Sequence, residues 1–227
     1  MIIVARSVWG AKPASLSGVR MRLPATQVFI HHSVTPVTAN LAADVRTIES
    51  IGLQRFGQFS YSYVIHPHDG EIFEGSGLMR GAHTAQRNST SFGIAWAGNY
   101  EERAPKVQQI EATRWLIHHL TEQGYLIPGA DILPHNAVFN SACPGRNVMK
   151  IFNALRVPWE GPMAGDSRPD TIAPIVGGMP AYDENGNIKG YILIGADGGI
   201  FPFGEGVANH GSVEHIPSEG RMWLPKA

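Results

Sequence analysis

Hydrophobic and polar positions follow regular patterns along most of the chain. The segment QVFIHHSVT, residues 27–35, begins with a β-branched and aromatic run that is typical of a buried strand and ends in two histidines. The next segment, LAADVRTIESIGLQRF, has apolar side chains near helical spacing, and Thr38 or Asn40 precedes it as an N-cap. The pattern predicts a strand with histidines at its C-terminal end, followed by a helix of about four turns.

Further elements continue this alternation. YSYVIHPHDGEIFEG predicts a β-hairpin that turns at Asp69-Gly70, and SFGIAWAGN predicts a third, central strand. Helical spacing predicts one helix over residues 107–123 and a final helix from Arg146 to Leu155. Strands that alternate with helices indicate an α/β fold with a central β-sheet flanked by helices. The sheet is mixed because one of its strand pairs is a hairpin.

The pattern changes after Trp159, where a stretch rich in glycine and proline has no period. Beyond it, short β-like runs separated by glycine turns predict a small β-rich C-terminal unit. We therefore divide the chain into a first domain at residues 1–160, a linker at 161–172 and an accessory segment at 173–227.

Composition narrows the classes of partner. The chain has 227 residues, of which 43% are hydrophobic and 16% charged, so it has enough apolar material for a folded core. Its formal net charge of -1 gives no global reason to expect nucleic-acid binding. No apolar run approaches the roughly 18 to 20 residues of a membrane helix, so we expect no membrane insertion. The N-terminus shows no Sec export signal, and the oligomeric state stays open.

One cysteine and two histidines form a candidate metal site. His31 lies at a strand end, and seven residues separate His135 from Cys143. Two imidazoles and one thiolate, with a fourth position left for water, are the ligands typical of catalytic zinc. Since successive strand residues point to opposite faces, His32 is not expected to share the site. The alternative is that His31 and His32 are surface groups at the end of the strand and that Cys143 packs in the core.

Four segments resemble, in their order along the chain, the segments of a known family. FIHHSVT, YSYVIHPHDGEIFEG, GAHTAQRNSTSFGIAWAGN and PHNAVFNSACPG resemble the signature regions of the peptidoglycan-recognition-protein and phage amidase-type lysozyme family, the type 2 amidases. RSVWGA resembles the entry segment of that family, so the resemblance covers residues 6–155. It implies that His31, His135 and Cys143 bind Zn²⁺.

The same resemblance implies roles for other side chains. The catalytic tyrosine of the family matches Tyr61, whereas an alignment without a gap across the following turn would place Ser62 there. Ser141 stands where family amidases carry lysine or threonine, and its hydroxyl can donate a hydrogen bond to an oxyanion without adding charge. His83 and Asn88 match positions that line the substrate groove of the family.

The resemblance therefore implies zinc-dependent hydrolysis of the amide between N-acetylmuramic acid and L-alanine in bacterial peptidoglycan. A lytic activity without an export signal implies a phage endolysin, held in the host cytoplasm before its release to the cell wall. ADGGIFPFGEG in the tail is similar to repeats of secreted actinobacterial cell-wall proteins. Two alternatives stay open, namely a peptidoglycan-binding module without catalysis and a metal-free cysteine hydrolase with Cys143 as nucleophile.

Overall fold

The computed structural model describes residues 1–159, 175–183, 185, 188–195 and 200–203. Its strands are β1 (Ile3–Val4), β2 (Ala25–His32), β3 (Tyr63–Ile65), β4 (Ile72–Glu74), β5 (Ser91–Trp96), β6 (Leu126–Pro134), β7 (Ile175–Tyr182), β8 (Ile188–Gly195) and β9 (Ile200–Phe203). Its α-helices are α1 (Arg6–Trp9), α2 (Leu41–Phe56), α3 (Val107–Glu122) and α4 (Arg146–Lys150). Short 3-10 helices lie at Pro13–Ser15, His135–Ala137 and Phe152–Arg156.

A six-stranded sheet in the order β1-β4-β3-β5-β2-β6 forms the centre of the fold. β3 and β4 pair antiparallel as a hairpin, whereas the other neighbours in this sheet pair parallel. β5 lies inside the sheet, between β3 and β2. The predicted mixed sheet, the hairpin and the central strand are confirmed.

Helices cover both faces of this sheet. α3 packs on one face through Ile110, Leu116 and Leu120, within a large cluster of buried apolar side chains. α2 packs on the other face through Val45 and Ile48, within a smaller cluster near β3 and β4. The predicted flanking helices are confirmed. Among the described residues, no helix is both long and apolar enough to cross a bilayer.

α2 begins and ends where its sequence predicts. The Oδ1 atom of Asn40 accepts a hydrogen bond from the backbone N–H of Ala43, so Asn40 is the N-cap. Gly57 closes the helix in the left-handed conformation. Gly52 lowers helix propensity, but a Cβ there would lie 2.7 Å from the carbonyl oxygen of Gln58. Glycine therefore allows the helix to pack closely against the segment that leads to β3.

Two elements differ from their sequence predictions. The helix predicted from Arg146 to Leu155 breaks at Ile151, and its second half is the 3-10 helix Phe152–Arg156. Side chains at a spacing of three can stay buried in either helix type, so the apolar pattern did not separate the two. The strand β6 was not predicted, because Pro128 and Gly129 interrupt its sequence. The register with β2 shifts across this interruption, between Ala25 and Gln27 of β2.

The C-terminal residues include a second, three-stranded antiparallel sheet in the order β7-β8-β9. Leu193 of β8 is buried and belongs to the same apolar cluster as α3. The predicted linker at 161–172 lies outside the described residues, as do residues 196–199 and 204–206 of ADGGIFPFGEG. The domain boundary therefore stays a prediction.

Candidate metal centre and active site

The parallel pairing of the strands brings the predicted metal ligands together. Ile30 of β2 pairs with Pro134 of β6, so the residues that follow them, His31 and His135, emerge side by side. Their ring centroids are 4.5 Å apart. Cys143 completes the group, and the three candidate ligand atoms all lie within 4.8 Å of one another.

Backbone contacts hold Cys143 at this position. The backbone N–H of Asn136 donates to the carbonyl oxygen of Cys143 at 3.0 Å, and the backbone N–H of His32 donates to its Sγ at 3.4 Å. Two residues later, Gly145 has a φ of 101°, and a Cβ there would lie 2.6 Å from the backbone of Tyr100. The Cys-Pro-Gly segment therefore needs glycine in order to pack this closely against Tyr100.

The distance between two of the candidate donor atoms fits a tetrahedral zinc ion. His31 Nδ1 lies 3.6 Å from Cys143 Sγ. Zn–N bonds of about 2.0–2.1 Å and Zn–S bonds of about 2.3 Å at tetrahedral angles separate the two atoms by about 3.6 Å. Two imidazoles and one thiol leave the fourth position open, which is the donor set of a catalytic site rather than a closed structural one.

Burial sets the protonation of these ligands. Burial, followed by the neighbouring His83, His135 and His32, lowers the pKa of His31 well below its usual range. Burial also lowers the pKa of His135, so both rings are neutral and can offer a lone pair to a metal. Burial raises the pKa of Cys143 to about 12, although the hydrogen bond from the backbone of His32 acts to lower it. The thiol therefore needs a nearby cation to ionise.

Tyr61 and Ser62, the two candidates for the catalytic side chain, lie in different surroundings. The ring centroid of Tyr61 is 5.2 Å from that of His31. Burial, and to a smaller extent the nearby Cys143, raises the pKa of Tyr61 above its ordinary value. The phenol therefore keeps its proton and can donate it in a hydrogen bond. Ser62 is fully buried, and its Oγ accepts a hydrogen bond from the backbone N–H of Gly93 at 3.2 Å. Of the two, Tyr61 is thus placed beside the candidate ligands, and its catalytic role stays a prediction.

His83 lies directly behind the candidate ligands. Its ring is 5.4 Å from that of His31 in an edge-to-face arrangement, and the residue is only 6% exposed. Asn88 is half-buried, and its Oδ1 accepts from the backbone N–H groups of His83 and Thr84. These contacts give both residues a supporting position at the site. Their predicted role in lining a substrate groove stays a prediction.

The other histidines of the predicted elements have packing partners. His32 points away from His31, and its Nδ1 accepts a hydrogen bond from the backbone N–H of Tyr100 at 3.1 Å. On α3, His119 stacks on Trp115 with ring centroids 5.0 Å apart, and His118 contacts Trp159. None of these three belongs to the ligand cluster found among the described residues.

Comparison with known proteins identifies the family. Residues 21–146 match the family model described as N-acetylmuramoyl-L-alanine amidase, which is more than half of the 227-residue chain. The chain belongs to the N-acetylmuramoyl-L-alanine amidase family. A peptidoglycan-recognition protein of Drosophila simulans is 34% identical over 152 residues, covering 65% of this chain and 83% of that protein. The N-acetylmuramoyl-L-alanine amidase of Sus scrofa is 34% identical over 160 residues, covering 66% of this chain and 26% of that protein.

Solved structures of related proteins share the amidase-family fold. The complex of tracheal cytotoxin with the ectodomains of peptidoglycan recognition proteins LCa and LCx matches with a TM-score of 0.63 and 26% identity, covering 67% of this chain and 95% of that chain. A human peptidoglycan recognition protein in complex with glycosamyl muramyl pentapeptide matches with a TM-score of 0.59 and 30% identity. The match covers 64% of this chain and 90% of that chain. Both likenesses support the mixed sheet flanked by helices.

Two further residues concern the candidate site, Ser141 and Thr84. Ser141 is exposed in the segment between the 3-10 helix His135–Ala137 and Cys143. Its predicted part in stabilising an oxyanion stays a prediction. Thr84 was not predicted, although its Oγ1 lies 3.4 Å from His31 Nε2. The adjacent His-Thr pair in GAHTAQRN was the only signal for it in the sequence, because a threonine in a polar loop has no distinguishing pattern.

Proposed function

We propose that this chain is a zinc-dependent amidase that hydrolyses the bond between N-acetylmuramic acid and L-alanine in bacterial peptidoglycan. The observation that carries the proposal is the convergence of His31, His135 and Cys143, whose candidate ligand atoms lie within 4.8 Å of one another. The family supports it, since the relative from Sus scrofa bears the name of this activity. Structural neighbours were solved with tracheal cytotoxin and with a glycosamyl muramyl pentapeptide.

The surrounding side chains suit the chemistry of amide hydrolysis. A bound zinc ion supplies Lewis acidity for the amide carbonyl and for the attacking water. His31 and His135 hold the ion as neutral ligands, and Cys143 adds one negative charge. The protonated phenol of Tyr61 donates a hydrogen bond to the oxyanion that develops on the carbonyl, and Ser141 adds a neutral donor.

Two other functions predict different behaviour. A recognition module would bind peptidoglycan without cutting it. The relatives named peptidoglycan-recognition proteins are the reason to test this alternative. A metal-free cysteine hydrolase would need a reactive thiolate, which burial disfavours by raising the pKa of Cys143 to about 12. A bound zinc ion would supply the positive charge that stabilises the thiolate, which favours the zinc-dependent amidase over the metal-free cysteine hydrolase.

Product analysis of purified cell wall tests the reaction. We expect digestion to release new amino groups on L-alanine and no new reducing sugar ends. Reducing ends would indicate a glycosidase, whereas binding to the wall without any product would indicate the recognition module.

We further propose that the protein acts as a phage endolysin, with residues 173–227 engaging the wall of an actinobacterial host. The candidate metal ligands all precede Gly145, whereas the tail contains aromatic side chains among glycines that suit stacking on sugars. A protein ended at Gly161 should hydrolyse small soluble muropeptides at a near-normal rate and bind intact wall less well. Because Leu193 packs with the core of the first domain, the melting temperature must be compared as well. Loss of turnover on the small substrate would show that the tail is a scaffold instead.

A further inference from the structure

A chain of hydrogen bonds leads from a backbone carbonyl to the candidate metal ligand His31. It begins at His83 Nε2, which lies 3.3 Å from the carbonyl oxygen of Ser91. A carbonyl oxygen can only accept, so Nε2 of His83 carries the proton. His83 is 6% exposed and its ring lies against Phe29 and the neutral ring of His31, which cannot stabilise a positive charge, so the ring is neutral and its Nδ1 is an acceptor.

The direction of the remaining bonds follows from this first one. Thr84 Oγ1 lies 3.0 Å from His83 Nδ1, so the hydroxyl donates its single proton to His83. The threonine oxygen then has only lone pairs to offer to His31 Nε2, at 3.4 Å. Nε2 of His31 must therefore carry the proton of that ring. The lone pair of His31 lies on Nδ1, the atom that is 3.6 Å from Cys143 Sγ.

The loop that carries this chain is tightly held. Thr84 is 1% exposed, and the Oδ1 atom of Asn88 accepts from the backbone N–H groups of His83 and Thr84 at 2.9 Å and 2.7 Å. The absent side chain of Gly93 leaves room for the ring of His83, because a Cβ there would lie 2.3 Å from its Cγ. The backbone of Thr84 is thus held by hydrogen bonds and its side chain is enclosed, with Oγ1 between His83 and His31.

We propose that Thr84 is a positioning residue of the metal centre, which holds His31 in the tautomer and orientation that direct Nδ1 to the ion. This inference rests on the proposed zinc-dependent function, but it concerns a buried residue outside the candidate ligand set. Groups behind a ligand in this way fix the ring and raise its basicity, and their loss typically lowers metal affinity about 10- to 100-fold.

Two substitutions separate the hydroxyl from the shape of the side chain. Thr84→Val keeps the branched shape and removes the hydroxyl, whereas Thr84→Ser keeps the hydroxyl. Thr113→Val is the matched control, because it removes a buried hydroxyl that accepts from Trp96 Nε1 on the opposite face of the sheet. Zinc affinity is measured by competition with a chelator, and the tautomer of His31 is measured by long-range ¹H–¹⁵N NMR on the metal-free protein.

We expect Thr84→Val to bind zinc about 10- to 100-fold more weakly, with Thr84→Ser and Thr113→Val within about threefold of the parent protein. We also expect His31 to be protonated at Nε2 in the parent and to lose this preference in Thr84→Val. Unchanged zinc affinity in Thr84→Val, or a proton on Nδ1 of His31 in the parent, would overturn the inference. If the parent binds no zinc, the proposed function fails, and the NMR measurement still decides whether Thr84 sets the tautomer.

Discussion

On one face of the central sheet, β2 and β5 direct apolar side chains toward α3. On the opposite face, the neighbouring positions of the same two strands border the candidate site. Val28, Ile30 and Ile94 are fully buried in the large apolar cluster. At alternating positions of the same two strands, His31 joins the ligand cluster and Gly93 makes room for His83. Along β2 and β5, apolar packing closes the face toward α3, whereas the opposite face sets Phe29 beside the ring of His83, which is held by hydrogen bonds.

The difference between the two faces follows from the two-residue period of a strand. Alternate residues place stabilising apolar side chains on one face and candidate functional residues on the other. A shift of one residue along β2 would exchange His31 for His32, whose ring accepts a hydrogen bond from the backbone of Tyr100 instead. The apolar face fixes the register, and the register fixes which histidine reaches Cys143. His31 lies on β2 itself, whereas His135 lies in the 3-10 helix that follows β6 and Cys143 lies in the loop before α4. The following substitutions test whether the two faces are separable in this way.

The largest effect is expected from Cys143→Ser. Removing the thiolate leaves two neutral ligands, so zinc content should fall and turnover of peptidoglycan should drop to background. Metal analysis and digestion assays on the folded variant measure both effects. A variant that stays fully active would end the zinc hypothesis.

Tyr61→Phe should lower turnover while leaving the metal in place. Losing one donor to an oxyanion costs about 2.7 to 4 kcal/mol, or roughly 100- to 1000-fold in kcat, with zinc content and melting temperature little changed. Ser62→Ala is the matched comparison. If Ser62→Ala proves the damaging change and Tyr61→Phe is silent, the assignment of the catalytic side chain is wrong.

Gly93→Ala should damage the site face through a collision with the ring of His83. A Cβ at Gly93 would lie 2.3 Å from the ring, and overpacking of this kind typically costs about 1–3 kcal/mol. We expect lower stability in urea unfolding together with weaker zinc binding, since His83 supports His31 through Thr84.

The neighbouring substitution Ile94→Val is the control for Gly93→Ala on the closed face. Removing one buried methylene there should cost about 0.5–1.5 kcal/mol of stability, the smallest effect of this series, and leave zinc affinity unchanged. Weaker zinc binding in Ile94→Val, at equal stability loss, would show that the two faces are not separable.

Most of the fold could be predicted because its elements carry strong periodic signals. α2, with its cap at Asn40, and the hairpin with its Asp-Gly turn follow from side-chain pattern and turn chemistry alone. β6 could not be predicted in this way, because Pro128 and Gly129 break the alternation that marks a strand. Its pairing with β2 is a long-range interaction, and it is this pairing that carries His135 to His31.

The candidate site could be predicted in part. The ligand types and the resemblance to type 2 amidases indicated His31, His135 and Cys143, and the structure brings these three together. Thr84 escaped prediction because its importance depends on the orientation of neighbouring rings, which no sequence period encodes. The supporting positions of His83 and Asn88 likewise depend on a loop folded around one amide oxygen.

Removing the metal and adding it back tests whether zinc at His31, His135 and Cys143 is required for hydrolysis. The protein is stripped with a chelator, and the amino groups freed from purified peptidoglycan are followed before and after zinc is added back. We expect no release by the stripped protein and recovery at about one zinc ion per chain, since a single three-ligand site is proposed. Full release by the stripped protein, abolished instead by alkylation of Cys143, would contradict this expectation.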